Sequence, residues 1–245
     1  GGILVYNKYR AEFIYENLTI QNNLIHGSYI SGVKNLLFLG SSCIYPKFCK
    51  QPQKEEYLLD GKLESTNEPY ALAKIAGVKM CESYNKQYKT NYKSLMPTNS
   101  YGYGDSYDLK TSHFFSAIIK KIYLAKINNK KSITLLGTGK AKRELIFVDD
   151  IADAVIHFMK KKTKDNLINI GTGKEATIKD YAKFIIKRLG LKLDIKFDKS
   201  YPDGTPRKVL DVTKIKSLGW EPKIKLKDGI KETYDWYKQI DLAFK

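Results

Sequence analysis

Short apolar runs that end in glycine, proline or polar residues recur along this chain, and they constrain its fold more than any other feature. The clearest runs are LLFLG from Leu36, YKSLMP from Tyr92, LIFVDD from Leu145 and LINIG from Leu167. Continuous apolar runs of this length are typical of strands that are buried on both faces, as strands in parallel sheets are. The sequence therefore predicts buried parallel strands.

Segments with helical spacing of apolar residues separate these strands. Residues 9–32 carry such a pattern and end at Gly32, which is a typical helix stop. Residues 70–88 follow a capping Thr66 or Asn67 and have Pro69 at the first turn. Further helices are predicted at residues 111–127, 151–161, 178–190 and 227–239, and further strands at SITLLG and LDIKF. This alternation is the signature of an α/β fold.

Composition limits the class of protein. The 245 residues have a net charge of +17, almost all of it from lysine, and 42% are hydrophobic, which is enough for a large folded core. Because the lysine runs lack interleaved aromatic residues, we expect solvated faces and no nucleic-acid partner. The first residues show no signal peptide or membrane span. Cys43, Cys49 and Cys81 lack metal-ligand or disulfide spacing, so we expect a cytoplasmic protein with free thiols and no metal site.

Three polar residues form a pattern that suits proton and hydride chemistry. Tyr70 and Lys74 are four residues apart on a predicted helix, so they lie on one face. A lysine ammonium beside a phenol lowers the phenol pKa from its usual value of about 10 and makes it a better acid–base group. Ser41 follows the LLFLG strand, at the strand end where ligands bind in open parallel sheets. On its own, the spacing of Tyr70 and Lys74 also fits an ordinary helix surface.

Four segments carry a more specific pattern: GSSCIYPK, NEPYALAKIAGVKMCESYN, the Ser112–His113 pair and PDGTPRKVLDVTK. They resemble the extended short-chain dehydrogenase/reductase family, and within it the enzymes that epimerise and reduce GDP-linked keto sugars. The resemblance implies a doubly wound parallel sheet of Rossmann type, without its first strands here, and a smaller C-terminal substrate lobe. Residues 1–100 would belong to the NADP-binding domain. Residues 101–245 would belong mainly to the substrate lobe, with some segments returning to the sheet domain.

The resemblance also implies a reaction and a role for each residue. The family inverts C3 and C5 of GDP-4-keto-6-deoxy-D-mannose and then reduces C4 with NADPH. Tyr70 would donate a proton to the C4 oxygen, Lys74 would bind the nicotinamide ribose and lower the Tyr70 pKa, and Ser41 would orient the ketone. Cys43 as base and His113 as acid would perform the inversions. Without the resemblance, a buried cysteine and a helix-capping histidine are the plainer interpretation.

Ligand contacts follow from the same resemblance. The nicotinamide half of NADP(H) would lie along Leu39, Gly40, Ser41, Ser42, Lys74, Pro97, Thr98, Asn99, Ser100 and His113. The GDP-linked 4-keto-6-deoxy sugar would contact Lys121, Leu136, Arg143 and Asp203. A guanidinium such as that of Arg143 is well shaped to hold a diphosphate, whereas Lys121 and Leu136 stand where the family has an arginine and an aromatic residue. An ion pair of Arg143 with Glu144 or Asp149 is the alternative interpretation.

The beginning of the sequence departs from the family pattern. No G-x-G-x-x-G or G-x-x-G-x-x-G loop occurs between a first strand and helix, and Gly1-Gly2 corresponds to the end of a later strand. We expect roughly 60 to 70 further residues before Gly1, the length of two strand–helix units plus a strand. A homodimer is expected by family analogy. Another nucleotide-sugar epimerase or reductase, or a catalytically silent nucleotide-binding protein, is the alternative function.

Overall fold

Helices and strands alternate along residues 2–243, the part of the chain that the structure, a computed structural model, describes. The helices are α1 (Ile3–Lys8), α2 (Arg10–Ile30), α3 (Glu68–Tyr88), α4 (Phe114–Ile127), α5 (Val148–Lys160), α6 (Ile178–Arg188), α7 (Thr213–Ser217) and α8 (Leu226–Ala243). The strands are β1 (Asn35–Leu39), β2 (Asn91–Pro97), β3 (Asn99–Tyr101), β4 (Ser132–Leu136), β5 (Lys142–Phe147), β6 (Leu167–Ile170), β7 (Glu175–Thr177), β8 (Asp194–Asp198) and β9 (Arg207–Lys208). The predicted helices are confirmed with shifted ends. Within the described range, no helix has the length and apolar composition needed to cross a bilayer.

The central sheet is parallel and has the strand order β1–β2–β6. β1 and β2 pair in register from Asn35–Asn91 to Leu39–Leu95, and β6 pairs with the other edge of β2. Helices α3 and α5 both contact β1 and β2. The predicted LLFLG, YKSLMP and LINIG strands are therefore confirmed as the central sheet of a doubly wound α/β fold. β2 and β6 are largely buried, whereas in β1 only Phe38 is buried, so the prediction of burial on both faces is wrong for LLFLG.

The remaining strands form smaller sheets instead of extending the central one. β4 and β8, predicted as SITLLG and LDIKF, pair in parallel with each other. Ile133 and Leu135 of β4 are buried while the residues between and after them are exposed, which is the pattern of a strand covered on one face. β5 joins β3, β7 and β9, and its pairing with β7 is antiparallel, so the strands are not all parallel as expected.

The LIFVDD segment was predicted as a strand through Asp150, and this is wrong beyond Phe147. Val148 begins α5, and the acidic residues that follow lie in the first turn, where the helix dipole favours negative charge. The buried Asp150 carboxylate accepts hydrogen bonds from the backbone nitrogens of Lys223 at 2.9 Å and Ile224 at 3.1 Å. It therefore ties the start of α5 to the chain that leads into α8.

Two hydrophobic clusters fill the interior. The first surrounds the central sheet and includes Phe38, Leu95, Phe158, Ile168 and Trp220. The second packs α4, α6 and α8 around β4 and β5 and includes Phe115, Ile119, Phe147, Tyr181 and Tyr234. Because α5, β6 and α7 contribute to the first cluster, the polypeptide returns to the central sheet after building much of the second.

Close packing of α3 against β1 and α2 depends on Gly77. A methyl group at this position would overlap the Phe38 ring and lie 3.0 Å from Gln21 Oε1. We expect Gly77→Ala to lower the free energy of unfolding by about 1–3 kcal/mol, because overpacking outweighs the gain of about 1 kcal/mol that alanine has over glycine in a helix. Urea denaturation of both proteins measures the difference.

Gly27→Ala in α2 is the matched control for this prediction. No atom lies within 4 Å of a methyl group built at Gly27. The same substitution should therefore raise the free energy of unfolding by up to about 1 kcal/mol. Equal destabilisation by both substitutions would contradict the packing explanation.

Candidate active site

A cavity of about 370 Å³ opens beyond the carboxyl ends of β1 and β2, where ligands bind in open parallel sheets. The predicted site residues that line it are Gly40, Ser41, Ser42, Cys43, Tyr70, Pro97, Thr98, Asn99, Ser100, His113, Lys121, Leu136, Arg143 and Asp203. Leu39 and Lys74 are not part of this lining. The structure therefore brings together predicted residues that are spread over more than half of the sequence.

The turn after β1 delivers Ser41 and Cys43 to the cavity. Gly40 N donates a hydrogen bond of 2.9 Å to Leu95 O, so the pairing of β1 with β2 continues into the turn. A side chain at Gly40 would overlap the flexible end of Met96, which would have to move. Ser41 then starts a 3-10 helix (Ser42–Ile44), and its Oγ accepts a hydrogen bond of 3.2 Å from Cys43 N.

Tyr70 lies in the first turn of α3 and lines the cavity together with Ser41. Burial, followed by the nearby Cys43, raises the pKa of Tyr70, while interaction with the Ser41 hydroxyl acts in the opposite direction. Lys74 Nζ donates to Leu39 O at 3.0 Å and lies 5.7 Å from the centre of the Tyr70 ring. The prediction that Lys74 lowers the Tyr70 pKa is therefore wrong for this structure, because burial dominates and the ammonium is directed at a backbone carbonyl.

Cys43 is in contact with two nitrogen donors that sequence reasoning missed. Lys208 Nζ and Asn67 Nδ2 each lie 3.2 Å from the Cys43 sulfur. Burial raises the pKa of the thiol, but the Lys208 ammonium, hydrogen bonds from Ser41 and Lys208, and the charge of Arg143 together bring it below its usual value. Lys208 lies within the quoted PDGTPRK segment, but sequence gives no sign that it meets a cysteine 165 residues away.

His113 is the N-cap residue of α4, yet its side chain does not cap that helix. His113 lines the cavity and is exposed to it. Burial lowers the pKa of His113 to about 4, with Lys208 acting in the same direction and Asp105 in the opposite one. The ring is therefore neutral near pH 7, and the predicted role as an acid requires that it gains a proton when ligands bind.

Tyr6 is a further cavity residue that sequence reasoning missed. Its ring centre lies 5.2 Å from that of Tyr70 and 4.5 Å from that of Phe13. Burial and the nearby Cys43 raise the pKa of Tyr6, so this phenol stays protonated beside Tyr70. It was missed because α1 is only six residues long and lacks a clear periodic pattern.

Polar residues at the far end of the cavity bind mainly to backbone atoms. Lys121 Nζ donates to Thr134 O at 2.7 Å. Arg143 donates to the carbonyls of Lys142 at 2.8 Å and Asp203 at 3.2 Å. The Glu144 carboxylate instead accepts from Gly173 N and Leu210 N, which contradicts its interpretation as an ion-pair partner of Arg143.

Asp203 and Asn99 line the cavity, and their side chains also form hydrogen bonds to other protein atoms. The Asp203 carboxylate accepts from the Thr138 backbone nitrogen at 2.8 Å and from the Thr138 hydroxyl at 2.5 Å. The Asn99 amide donates to Glu144 O at 2.9 Å. Both residues therefore shape the cavity wall, and any ligand contact would use their remaining hydrogen-bonding capacity.

Two buried polar atoms in the cavity wall have no hydrogen-bond partner within residues 2–243. They are Asn67 Oδ1 and Ser112 Oγ. Buried polar atoms are nearly always satisfied in folded proteins, so such a pair at a cavity is typical of a site that is completed by a polar ligand. Among the described residues there is no group of three or more His, Cys, Asp or Glu side chains that could hold a metal ion.

Comparison with known proteins defines the class of enzyme. Residues 1–171 match the model of the NAD dependent epimerase/dehydratase family. The chain therefore belongs to this family of extended short-chain dehydrogenases/reductases, as the motifs predicted.

Individual relatives narrow the class further. The chain is 48% identical to GDP-L-fucose synthase of Escherichia coli (strain K12) over 254 residues, which cover 100% of this chain and 79% of that protein. It is 49% identical over 237 residues to the putative GDP-L-fucose synthase 2 of Arabidopsis thaliana, covering 97% of this chain and 72% of the relative. A solved structure of MlghC, a GDP-mannoheptose C4 reductase from Campylobacter jejuni with NADP bound, has a TM-score of 0.84 at 39% identity, covering 94% of this chain and 78% of that one.

The neutral state of His113 can be tested directly by NMR. In the ligand-free protein, the His113 ring protons should titrate with a midpoint near the pKa of about 4 that burial imposes, well below the usual value for histidine. A His113→Gln variant assigns the resonance by its disappearance. A midpoint near 6.5 in the wild-type protein would contradict the burial of the ring.

Proposed function

We propose that this chain converts GDP-4-keto-6-deoxy-D-mannose to GDP-L-fucose by 3,5-epimerisation and NADPH-dependent 4-reduction. The observation that carries the proposal is that Cys43 lines the same cavity as Ser41 and Tyr70. Ser41 and Tyr70 suit proton transfer to a ketone oxygen, and Cys43 suits removal of a proton from the carbon beside the ketone. Identities of 48% and 49% to GDP-L-fucose synthases support the choice of substrate.

The cavity wall fits the nicotinamide end of NADP(H). Gly40 keeps the turn after β1 free of a side chain, and Ser112 Oγ is a buried polar atom without a partner in the described chain. When bound, NADPH supplies the hydride for C4. We propose that Lys74, now directed at Leu39 O, binds the ribose hydroxyls, since an ammonium has three donors and Leu39 O uses one.

Tyr70 and Ser41 serve the reduction in this proposal. The raised pKa of Tyr70 keeps the phenol protonated at neutral pH, so it holds the proton that the C4 oxygen needs as it becomes a hydroxyl. Ser41 and Tyr70 line the same cavity, and in this proposal both hydroxyls converge on one carbonyl oxygen and orient it.

Cys43 and His113 serve the inversions at C3 and C5. Each inversion breaks a C–H bond beside the ketone, places the electron pair on the carbonyl oxygen as an enolate, and returns a proton to the opposite face. The lowered pKa of Cys43 increases the fraction of thiolate that can accept the first proton. His113 would return the second proton after it becomes charged in the complex, because its ring is neutral in the ligand-free protein.

Binding of the GDP moiety is assigned to the basic end of the cavity. Arg143 and Lys121 donate to backbone carbonyls, and each keeps further N–H groups for a diphosphate. Leu136 is 40% exposed at the cavity and offers an apolar surface to the nucleoside. Asp203 would fix the loop that carries these contacts through its bonds to Thr138.

We also propose that the chain acts in the cytoplasm as a homodimer, with residues 1–100 mainly in the cofactor domain and residues 101–245 mainly in the substrate lobe. Ile20 and Leu24, one turn apart on α2, are 60% and 63% exposed and offer apolar surface that a second copy would cover. Free Cys43, Cys49 and Cys81 fit a reducing compartment.

A C4 reductase without epimerase activity is the second candidate, because the Campylobacter structure described above is named as one. The two functions differ in whether protons at C3 and C5 exchange with solvent. The purified protein should oxidise NADPH with GDP-4-keto-6-deoxy-D-mannose faster than with the UDP- or dTDP-linked analogue. No oxidation with any of the three would favour a catalytically silent protein.

Cys43→Ser separates the two half-reactions. We expect exchange of the C3 and C5 protons to fall by about 100-fold or more, since positioned acid–base groups contribute about 10²–10⁴-fold. Reduction of the already epimerised keto sugar should fall much less. Tyr70→Phe should produce the reverse pattern, with exchange retained and reduction lost.

Cys49→Ser is the control for this prediction. The Cys49 sulfur lies in the polar segment that follows the turn and accepts a hydrogen bond of 3.4 Å from Gln53 Nε2. This substitution should leave both half-reactions close to wild type. Equal loss of exchange and reduction in Cys43→Ser would mean that Cys43 has a structural role only.

A further inference from the structure

Two N–H donors from different parts of the chain contact the Cys43 sulfur. Lys208 Nζ and Asn67 Nδ2 both point N–H groups at the sulfur from 3.2 Å. An ammonium has only donors, and an amide nitrogen also donates. Because a thiol is a weak acceptor and a thiolate a strong one, two donors converging on one sulfur select the ionised form.

Strand pairing places a second cation on the same side of the sulfur. Lys208 of β9 is the register partner of Arg143 of β5, and neighbouring residues in register project to one face of a parallel pair. The titratable and charged groups that face Cys43 are Lys208, Arg143, Tyr70 of α3 and Tyr6 of α1. The two tyrosines stay neutral. The carboxylates of Glu64 and Asp203 line the same cavity and interact with Arg143, so Lys208 is the cation that acts on the sulfur through a direct contact.

The backbone that carries Lys208 is held on both sides. Val209 N donates a hydrogen bond of 3.1 Å to Gln51 Oε1, and Val209 O accepts one of 2.8 Å from Gln53 N. Leu210 N donates to the buried Glu144 carboxylate at 2.8 Å. Lys208 therefore starts from a fixed backbone position, and its ammonium loses little freedom in reaching the sulfur.

Asn67 is placed where it would ordinarily cap α3, yet its side chain makes no capping hydrogen bond. Asparagine at an N-cap usually stabilises the helix by accepting from the first turn. Here the amide contacts the sulfur instead. Because Asn67 makes no capping hydrogen bond, we infer that its side chain is placed for the contact with Cys43.

We propose that Lys208, assisted by Asn67, is a positioning residue that holds Cys43 as a thiolate before substrate binds. The proposal rests on the proposed function for its catalytic meaning: the thiolate takes a proton from the carbon beside the ketone, an S–H bond forms, and the electron pair of the C–H bond moves to the carbonyl oxygen. Nothing is oxidised or reduced in this step. The state of the sulfur in the free protein can be measured without substrate or cofactor.

The test is the pH dependence of Cys43 alkylation by iodoacetamide, followed by mass spectrometry. Cys43 and Cys49 fall on different tryptic peptides because Lys47 lies between them, so Cys49 is an internal reference. We expect Lys208→Met to slow alkylation of Cys43 at pH 7 about tenfold and to move the midpoint to higher pH, since an opposite charge within 4–6 Å shifts a pKa by about 1–3 units. Lys208→Arg should restore most of the wild-type profile.

Two further variants make the test specific. Lys110→Met removes another lysine that lines the cavity, with no hydrogen bond to the sulfur among the described contacts, and should move the midpoint less than Lys208→Met. Asn67→Ala removes the second donor without changing any charge, and should move the midpoint upward by a smaller amount. It also keeps the test available if Lys208→Met does not fold. An unchanged midpoint in Lys208→Met or, where that variant is unfolded, in Asn67→Ala would overturn the proposal.

Activity measurements then distinguish this proposal from the proposed function. In Lys208→Met, the pH profile for C3 and C5 proton exchange should move to higher pH, with KM for the GDP-sugar changed by less than about threefold. A large rise in KM with an unchanged exchange profile would overturn the proposal and make Lys208 a phosphate ligand. Absence of turnover with every keto sugar would refute the proposed function while leaving the alkylation result intact.

Discussion

The hydrogen bond from Gly40 N to Leu95 O is the contact on which the site depends, because it carries the pairing of β1 and β2 into the turn that bears Ser41 and Cys43. Parallel pairing aligns the carboxyl ends of these strands, and Gly40 lies close to the end of the Met96 side chain. α3 packs beside this turn, so Tyr70 meets Ser41. The geometry for acting on a ketone therefore follows from the central sheet.

The pKa values of the titratable groups in the cavity are shifted in opposite directions. Donors and positive charge around Cys43 outweigh its burial and lower its pKa, whereas burial, followed by the nearby Cys43, raises the pKa values of Tyr70 and Tyr6. One sulfur can thus be ionised beside two phenols that keep their protons. This is the general way in which neighbouring titratable groups are separated into base and acid within one site.

The sequence predicted the parts of the fold that have strong local signals. LLFLG, YKSLMP and LINIG are continuous apolar runs, and they form the central sheet. β3, β7 and β9 are two or three residues long, and such short strands depend on partners that are distant in sequence. In the site, the motifs identified Ser41, Cys43 and Tyr70. Lys208 was missed because only the folded chain brings it to Cys43.

We propose that a single cavity performs both the inversions and the reduction. The most direct test is to run the complete reaction in D₂O with unlabelled NADPH and to locate deuterium in the product by NMR. We expect GDP-L-fucose with solvent deuterium at C3 and C5 and with protium, delivered from NADPH, at C4. A product reduced at C4 without solvent deuterium at C3 and C5 would contradict it.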